Sequence, residues 1–577
     1  MGTRGVVTSG HYLASAAGFR VMEQGGNAID AAAAAAFCLS LLEPHQNGLG
    51  GEVPTLIHSA KERKTFAVSG MGWSPKAFTI GWCRTHGIEM IPGDGYLPAC
   101  VPSQVGTWAL AMQRFGTMSF SQVLQPAIEL AEVGFPMYDD LHNFLVGQTQ
   151  QFTDIYPSSG RVFLPHGRVP EIGEVFRNRD FANTLRLLCK AEASAKGKGR
   201  AAGIEAAREA FYKGEIAEHI VEFGASNPVI DASGRPHTCL LTRADFAEWQ
   251  PAIEEPLSLD YRGLTVHKCS SWTQGPVFLQ QLAILRGFDL KAMGPASADY
   301  IHTWIECAKL AFADREAYYG DPLLDDPPFD VLLSEEYAAA RRKLIGRAAS
   351  MEFRPGDAGR GVPDWAGFDV LASNRLGLRS GGHNGDTTHL DAIDRDGNMV
   401  AATPSGGWIQ SSPVIDGLGF PLGTRGQMFY LDPRRPNALA PHKRPRATLT
   451  PTMVTKDGEP WMAFGTPGGD GQDQWTLQFF INYVDFGMNL QEALDGLEFA
   501  TWHFPSSFYP RQAAPGCMDI DARTPPDVID ELKRRGHKIG ALVQNGIKMM
   551  GIRYDKQRGV ILGGTRSTGN TTCAIGW

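Results

Sequence analysis

Two periodicities divide the chain. Residues His11 to Gln24 and Ala28 to Leu42 repeat apolar positions at helical spacing and are separated by Gly25-Gly26. This predicts two helices, with Asn27 as the cap of the second and Asp30 against its positive end. Six consecutive alanines, Ala31 to Ala36, allow that helix to pack closely. Val105 to Gly134 keeps the helical period, and Ile301, Trp304, Ile305, Ala308 and Phe312 share one face of a later helix. Leu240 to Phe246 and Leu264 to Lys268 read as short strands or helix starts. Further on the period shortens: Leu390 to Ile393, Met399 to Thr403, Met453 to Thr455 and Trp461 to Phe464 have strand composition. Helices follow from Gln474 and from Thr524, the latter with Thr524 as N-cap, Pro525 at its first position and Gly536 past its end. Helices on both sides of a strand-rich middle suit stacked layers of helix, sheet, sheet and helix.

Composition narrows the function. Of 577 residues, 43% are hydrophobic and 20% charged, as in ordinary soluble proteins, and no stretch reads as a linker between domains. The formal charge of −8 argues against nucleic acid as a partner, because phosphate binding needs a basic footprint. The longest apolar run, Ala31 to Leu42, is too short to span a bilayer. Nine scattered cysteines contain no Cys-x-x-Cys pair, which suggests neither a disulfide scaffold nor a zinc site. With no apolar signal core at the N-terminus, these features favour the cytoplasm.

The chemistry concentrates around residue 387. Gly381 to Asp386 is a flexible polar approach, Thr387-Thr388-His389 opens a strand, and Asp394 to Asn398 supplies the turn formers of a β-hairpin. A threonine hydroxyl is a poor nucleophile without a base. If the bond between Asp386 and Thr387 were cleaved, the freed α-amine, with a reference pKa of about 7.7 to 8.0, would be that base on the same residue. There is no Gly-x-Ser-x-Gly elbow, His-Glu-x-x-His or phosphate-binding Gly-x-x-x-x-Gly-Lys, and the fifteen histidines show no ligand-like spacing.

The stretch from Thr387 to Asn398 resembles the processing site of the γ-glutamyltranspeptidase family. Further blocks agree in order: Gly25 to Ala32, Asn47-Gly48-Leu49-Gly50-Gly51, Ala313-Asp314-Arg315, Gly320-Asp321-Pro322, Lys443-Arg444-Pro445 and Gly465-Thr466-Pro467-Gly468-Gly469. The resemblance implies an α+β fold, the four-layer αββα sandwich of N-terminal nucleophile hydrolases. It also implies cleavage between Asp386 and Thr387 into a large subunit, 1–386, and a small subunit, 387–577, sharing one core; a homodimer of such heterodimers is left open. By the same resemblance Thr387 is the nucleophile, Thr403 its hydrogen-bonding partner, Gly468 and Gly469 the oxyanion-hole glycines, and Ser405 a further hydroxyl beside the substrate. No cofactor and no metal are called for.

Departures from the family pattern touch the substrate. Ser69 to Ile80 lacks the arginine that grips a substrate α-carboxylate, Gly406-Gly407 replaces an asparagine, Ala447-Thr448 replaces paired serines, and Gly423 to Phe429 replaces the amino-group clamp. Arg425 and Thr448 are the polar groups these replacements offer a substrate. The expectation is a self-processing amidohydrolase acting on a small-molecule amide through an acyl-enzyme, similar to the divergent amidohydrolase and acylase branch. The alternatives are a true γ-glutamyl hydrolase or transpeptidase, and an unprocessed, inactive homologue acting as a binding protein.

Overall fold

The computed structural model describes residues 1–365, 387–543, 547–568 and 571–577. Two antiparallel sheets lie face to face. The first runs in the order Cys573–Gly576, Gly5–Ser9, Leu390–Asp394, Met399–Ala402, Thr55–Ser59, Lys64–Val68 and Ile253–Glu254. The second runs Val560–Thr565, Met550–Asp555, Glu459–Gly465, Thr452–Lys456, Leu264–Lys268 and Leu257–Tyr261. Val6, Ile393, Met399 and Ala401 of the first sheet meet Met453, Ala463 and Ile552 of the second in one buried cluster. Helices Tyr12–Glu23 and Ala28–Leu42 cover the outer face of the first sheet, with Phe120–Val133 packed on them, and Pro276–Leu285 and Gln472–Val484 cover that of the second, with Ala298–Tyr318 packed against Pro276–Leu285. The fold is α+β, a four-layer αββα sandwich. Strands from before and after residue 387 interleave: Gly5–Ser9 pairs with Leu390–Asp394, and Leu264–Lys268 with Thr452–Lys456.

The alanine-rich helix holds the hairpin in place. Its N-terminus is closed by a capping box between Asn27 and Asp30, and the hairpin turn adds a cap of its own, since Asp394 accepts from the Ala28 N–H at 3.0 Å. Every residue from Ala28 to Leu42 is buried. The small side chains let the neighbouring helix approach so closely that a Cβ on Gly18 would lie 2.8 Å from the Ala31 carbonyl.

Two sequence expectations need adjustment, and a third is resolved. Val105 to Gly134 is two helices, Gln104–Phe115 and Phe120–Val133, because Asp30 draws the intervening Thr117 and Met118 N–H groups into a turn. Leu240 to Phe246 takes the helix-start form of its two expected ones, leading into Arg243–Glu248 behind a Thr242/Asp245 capping box. Thr524 is not a cap: Pro525 occupies that position with extended backbone, and the buried Thr524 hydroxyl has no hydrogen-bond partner. None of the nine cysteines, all of them described, is in a disulfide. Among the described residues no helix is long and apolar enough to cross a membrane.

Burial with nearby lysine charge lowers four histidines: His11, His45 and His503 to about 3 and His537 to about 2. Folding keeps them neutral, whereas the unfolded chain takes up their protons below about pH 6.5. Their stabilisation is therefore complete above pH 6.5 and falls as the pH drops, by up to about 1.4 kcal/mol per pH unit for each group. Denaturant midpoints measured from pH 7 to pH 4 should fall continuously; a flat profile over that range would contradict this assignment.

Candidate active site

The hairpin delivers Thr387 to one end of the space between the sheets. Thr387 pairs with Ser405 in an antiparallel bridge, is 2% exposed, and has its Oγ1 3.2 Å from Ser405 Oγ. Ser405 is fixed in turn by Glu52, the two exchanging backbone hydrogen bonds of 2.9 Å. This pairing explains the Gly50-Gly51 step, where added Cβ atoms would lie 1.8 Å from the Pro421 carbonyl and 2.1 Å from the Ser405 carbonyl. Only residues without side chains let residues 48–52 thread between the hairpin exit and residues 421–423.

Arg425 and Glu52 complete this corner. The buried Arg425 guanidinium pairs with the Glu52 carboxylate and donates to Ser405 Oγ at 2.8 Å. Burial pushes the Glu52 carboxyl above its ordinary range, while Arg425 pulls it down. Gln46, in the amide orientation that satisfies both ends, donates to the Thr387 carbonyl at 3.0 Å and accepts from Lys548 Nζ at 3.2 Å.

A second line of contacts occupies the same face of the hairpin. Thr8 donates to Asp391 at 3.0 Å, His389 Nε2 lies 2.9 Å from Asp391, and His389 Nδ1 lies 2.9 Å from Thr403 Oγ1, all of them buried. A carboxylate only accepts, so Asp391 assigns the ring proton to Nε2 and leaves Nδ1 to accept from the Thr403 hydroxyl. His389 thereby orients Thr403. The ring is seated against Gly465, where a Cβ would fall 2.3 Å from it.

Three residues beyond Gly465 the chain turns at Gly468 and Gly469, with φ of 123° and 53°, values that disfavour other residues. The next residue anchors the turn. Asp470 is bound by Arg315 and by the Ser507 hydroxyl at 2.7 Å, and Gln274 donates to the Gly469 carbonyl at 3.3 Å. Arg315 also pairs with Glu316 at Oε1, an oxygen it shares with Arg446, while Tyr430 donates to Oε2. Although burial opposes its charge, Arg446 and Arg315 hold the Glu316 carboxyl down to about 2. Asp321 binds Arg444, so the Arg315 and Asp321 blocks serve as buried ion pairs.

Thr387, Ser405 and Arg425 are thus joined by direct contacts, and Thr403 stands beside them on the same face. The Gly468-Gly469 turn connects through Gly465. Thr448 is buried, its hydroxyl without a hydrogen-bond partner, next to an Ala447 whose N–H bonds the Trp272 carbonyl at 2.9 Å. Asp386 and its approach from Gly381 lie outside the described residues. Sequence reasoning passed over Glu52, Gln46 and Asp391. The available signals were an acidic residue abutting a double glycine, and Asp391 two places from His389 on the same strand face. Among the described residues no group of three or more His, Cys, Asp and Glu side chains could hold a metal ion.

The family model for Gamma-glutamyltranspeptidase matches residues 14–573. The chain is 32% identical over 521 residues to the "Glutathione hydrolase proenzyme" of Pseudomonas sp. (strain A14), covering 87% of this chain and 82% of that protein. Among solved structures, "Structure of LmbA2991HD" superposes with a TM-score of 0.93 at 42% identity, over 100% of this chain and 98% of that one. The cephalosporin acylase from Bacillus halodurans superposes with a TM-score of 0.84 at 31% identity, over 100% and 96%.

Arg315→Met strands Asp470 in the interior without its cation. The expected cost is about 3–5 kcal/mol in denaturant unfolding, since breaking one side of a buried pair leaves an uncompensated charge. A loss below about 1 kcal/mol would show that Asp470 does not depend on Arg315.

Proposed function

The chain belongs to the gamma-glutamyltranspeptidase family, and on that premise we propose that it is a self-processing amidohydrolase whose nucleophile is Thr387 and whose substrate is a small-molecule amide. The observation that carries this reading is the buried Thr387 hydroxyl at the head of the hairpin, 3.2 Å from Ser405 Oγ, which Arg425 supports from behind at 2.8 Å. The relatives' proenzyme names and the acylase among the superposed structures support the same class of chemistry.

Scission of the bond before Thr387 exposes its α-amine, and the sequence of steps follows from that. The amine takes the Oγ1 proton as the oxygen attacks the amide carbonyl, and the carbonyl oxygen acquires the negative charge. Backbone N–H groups at Gly468-Gly469 stabilise that charge, a role for which their positive φ and the anchored Asp470 prepare the turn. The proton then passes to the leaving amine and the C–N bond breaks, leaving an ester on Thr387 Oγ1. Water, deprotonated by the same α-amine, hydrolyses the ester and restores the hydroxyl. Thr403, its own proton committed to His389, offers oxygen lone pairs to the amine and holds it near Oγ1.

Purified wild-type protein should run as two bands on a denaturing gel, and the small fragment should begin at Thr387. Thr387→Ala should leave one inactive chain, whereas Thr387→Ser should still process. A different first residue in the small fragment would remove Thr387 from the mechanism. Thr403→Ala should slow both maturation and turnover. A side chain at Gly469 should lower kcat by about 10² or more with the fold intact, and wild-type rates in either variant would exclude that residue.

A further inference from the structure

One feature of the site takes no part in these steps, namely the ion pair one residue removed from the nucleophile. Arg425 addresses the Glu52 carboxylate through both Nε and Nη2, donates to Ser405 Oγ at 2.8 Å, and turns Nη1 toward Met428 Sδ at 3.9 Å. The guanidinium carbon lies 4.8 Å from the Trp408 ring centre and 5.9 Å from that of Phe508, so the cation is also stacked. Space for the carboxylate is carved out of the main chain. Gly406 has φ of 71°, and a Cβ there would fall 2.4 Å from Glu52 Oε2; one on Gly423 would lie 3.4 Å from the same oxygen. Glu52 is meanwhile locked to Ser405 by backbone hydrogen bonds in both directions. The pair is built into the buried structure behind Ser405.

An unpaired buried guanidinium at this position would be a strong receptor for a carboxylate, because planar fork-to-oxygen bonding is the chemistry arginine does best. Here the protein supplies the carboxylate. We propose that Glu52 is a resident counter-anion that occupies Arg425, leaves the corner beside Thr387 electrically neutral, and selects amides whose acyl group carries no carboxylate. A carboxylate-bearing acyl group entering this corner meets an arginine already satisfied and a second negative charge at contact distance. The consequence for turnover rests on the amidohydrolase reading; the consequence for anion binding does not.

The two are separated by measuring both in the wild-type enzyme and in Glu52→Gln. With p-nitroanilides as probes, the wild type should favour the butyryl over the glutaryl compound in kcat/KM, and Glu52→Gln should move that ratio toward glutaryl by about 30-fold or more. Glutarate alone should raise the Tm of Glu52→Gln and leave that of the wild type unchanged, a readout that needs no catalysis. A wild type that prefers the glutaryl anilide, or a Glu52→Gln protein with unchanged ratio and no glutarate response, would overturn the proposal. If neither anilide is cleaved the amidohydrolase reading fails, and the glutarate response still decides the role of Glu52. Should Glu52→Gln not fold, the double variant Glu52→Leu, Arg425→Met removes both charges. It should ignore glutarate and retain the preference for butyryl; glutarate binding by that variant would also overturn the proposal.

Discussion

The site depends on one ladder of backbone hydrogen bonds. Gly5–Ser9 pairs with Leu390–Asp394, which pairs with Met399–Ala402, which pairs with Thr55–Ser59. Strands from opposite ends of the sequence are thereby set into a single register, in which Thr387, His389, Asp391 and Thr403 share the face toward the second sheet. A slip of one residue would turn all four toward the alanine-rich helix layer. The register is well guarded. Leu390 and Ala392 must enter one core while Ile393 and Met399 enter the other, and Asp394 ties the hairpin turn to the N-terminus of helix Ala28–Leu42.

Around that register the charges form two buried systems with different roles. Arg315, Glu316, Asp470, Arg446 and Tyr430 form a buried network behind the glycine turn, in which Arg446 and Arg315 hold the Glu316 carboxyl to about 2 despite its burial. Glu52 and Arg425 form the second system, in contact with the Ser405 hydroxyl beside Thr387. In both systems each carboxylate meets a guanidinium. That is the condition under which a protein interior holds charge near a reaction centre without large loss of stability.

Much of this is legible in the sequence where one residue type has one physical use. The hairpin, the capped alanine helix and the sandwich layers follow from periodicity and turn residues, and the family from motif order. What escapes is long-range pairing. Nothing local to Glu52 indicates that its partner is Arg425, and nothing near Gly406 says that its missing side chain makes room for a carboxylate; those facts exist only once three loops converge. Thr524 illustrates the opposite error: it has the composition of a cap, yet Pro525 takes that position and leaves the threonine hydroxyl without a partner. Departures from the family pattern likewise offer Arg425 to a substrate, and only the fold reveals its contact with Glu52.

The proposed chemistry stands on covalent participation by Thr387. Its most direct test is mass spectrometry of the enzyme quenched during turnover of an anilide substrate, with the modified peptide sequenced. Covalent catalysis of this kind yields a small fragment that carries the acyl group as an ester on its first residue, Thr387, and loses it on longer incubation. An acyl group found on any other residue would contradict it.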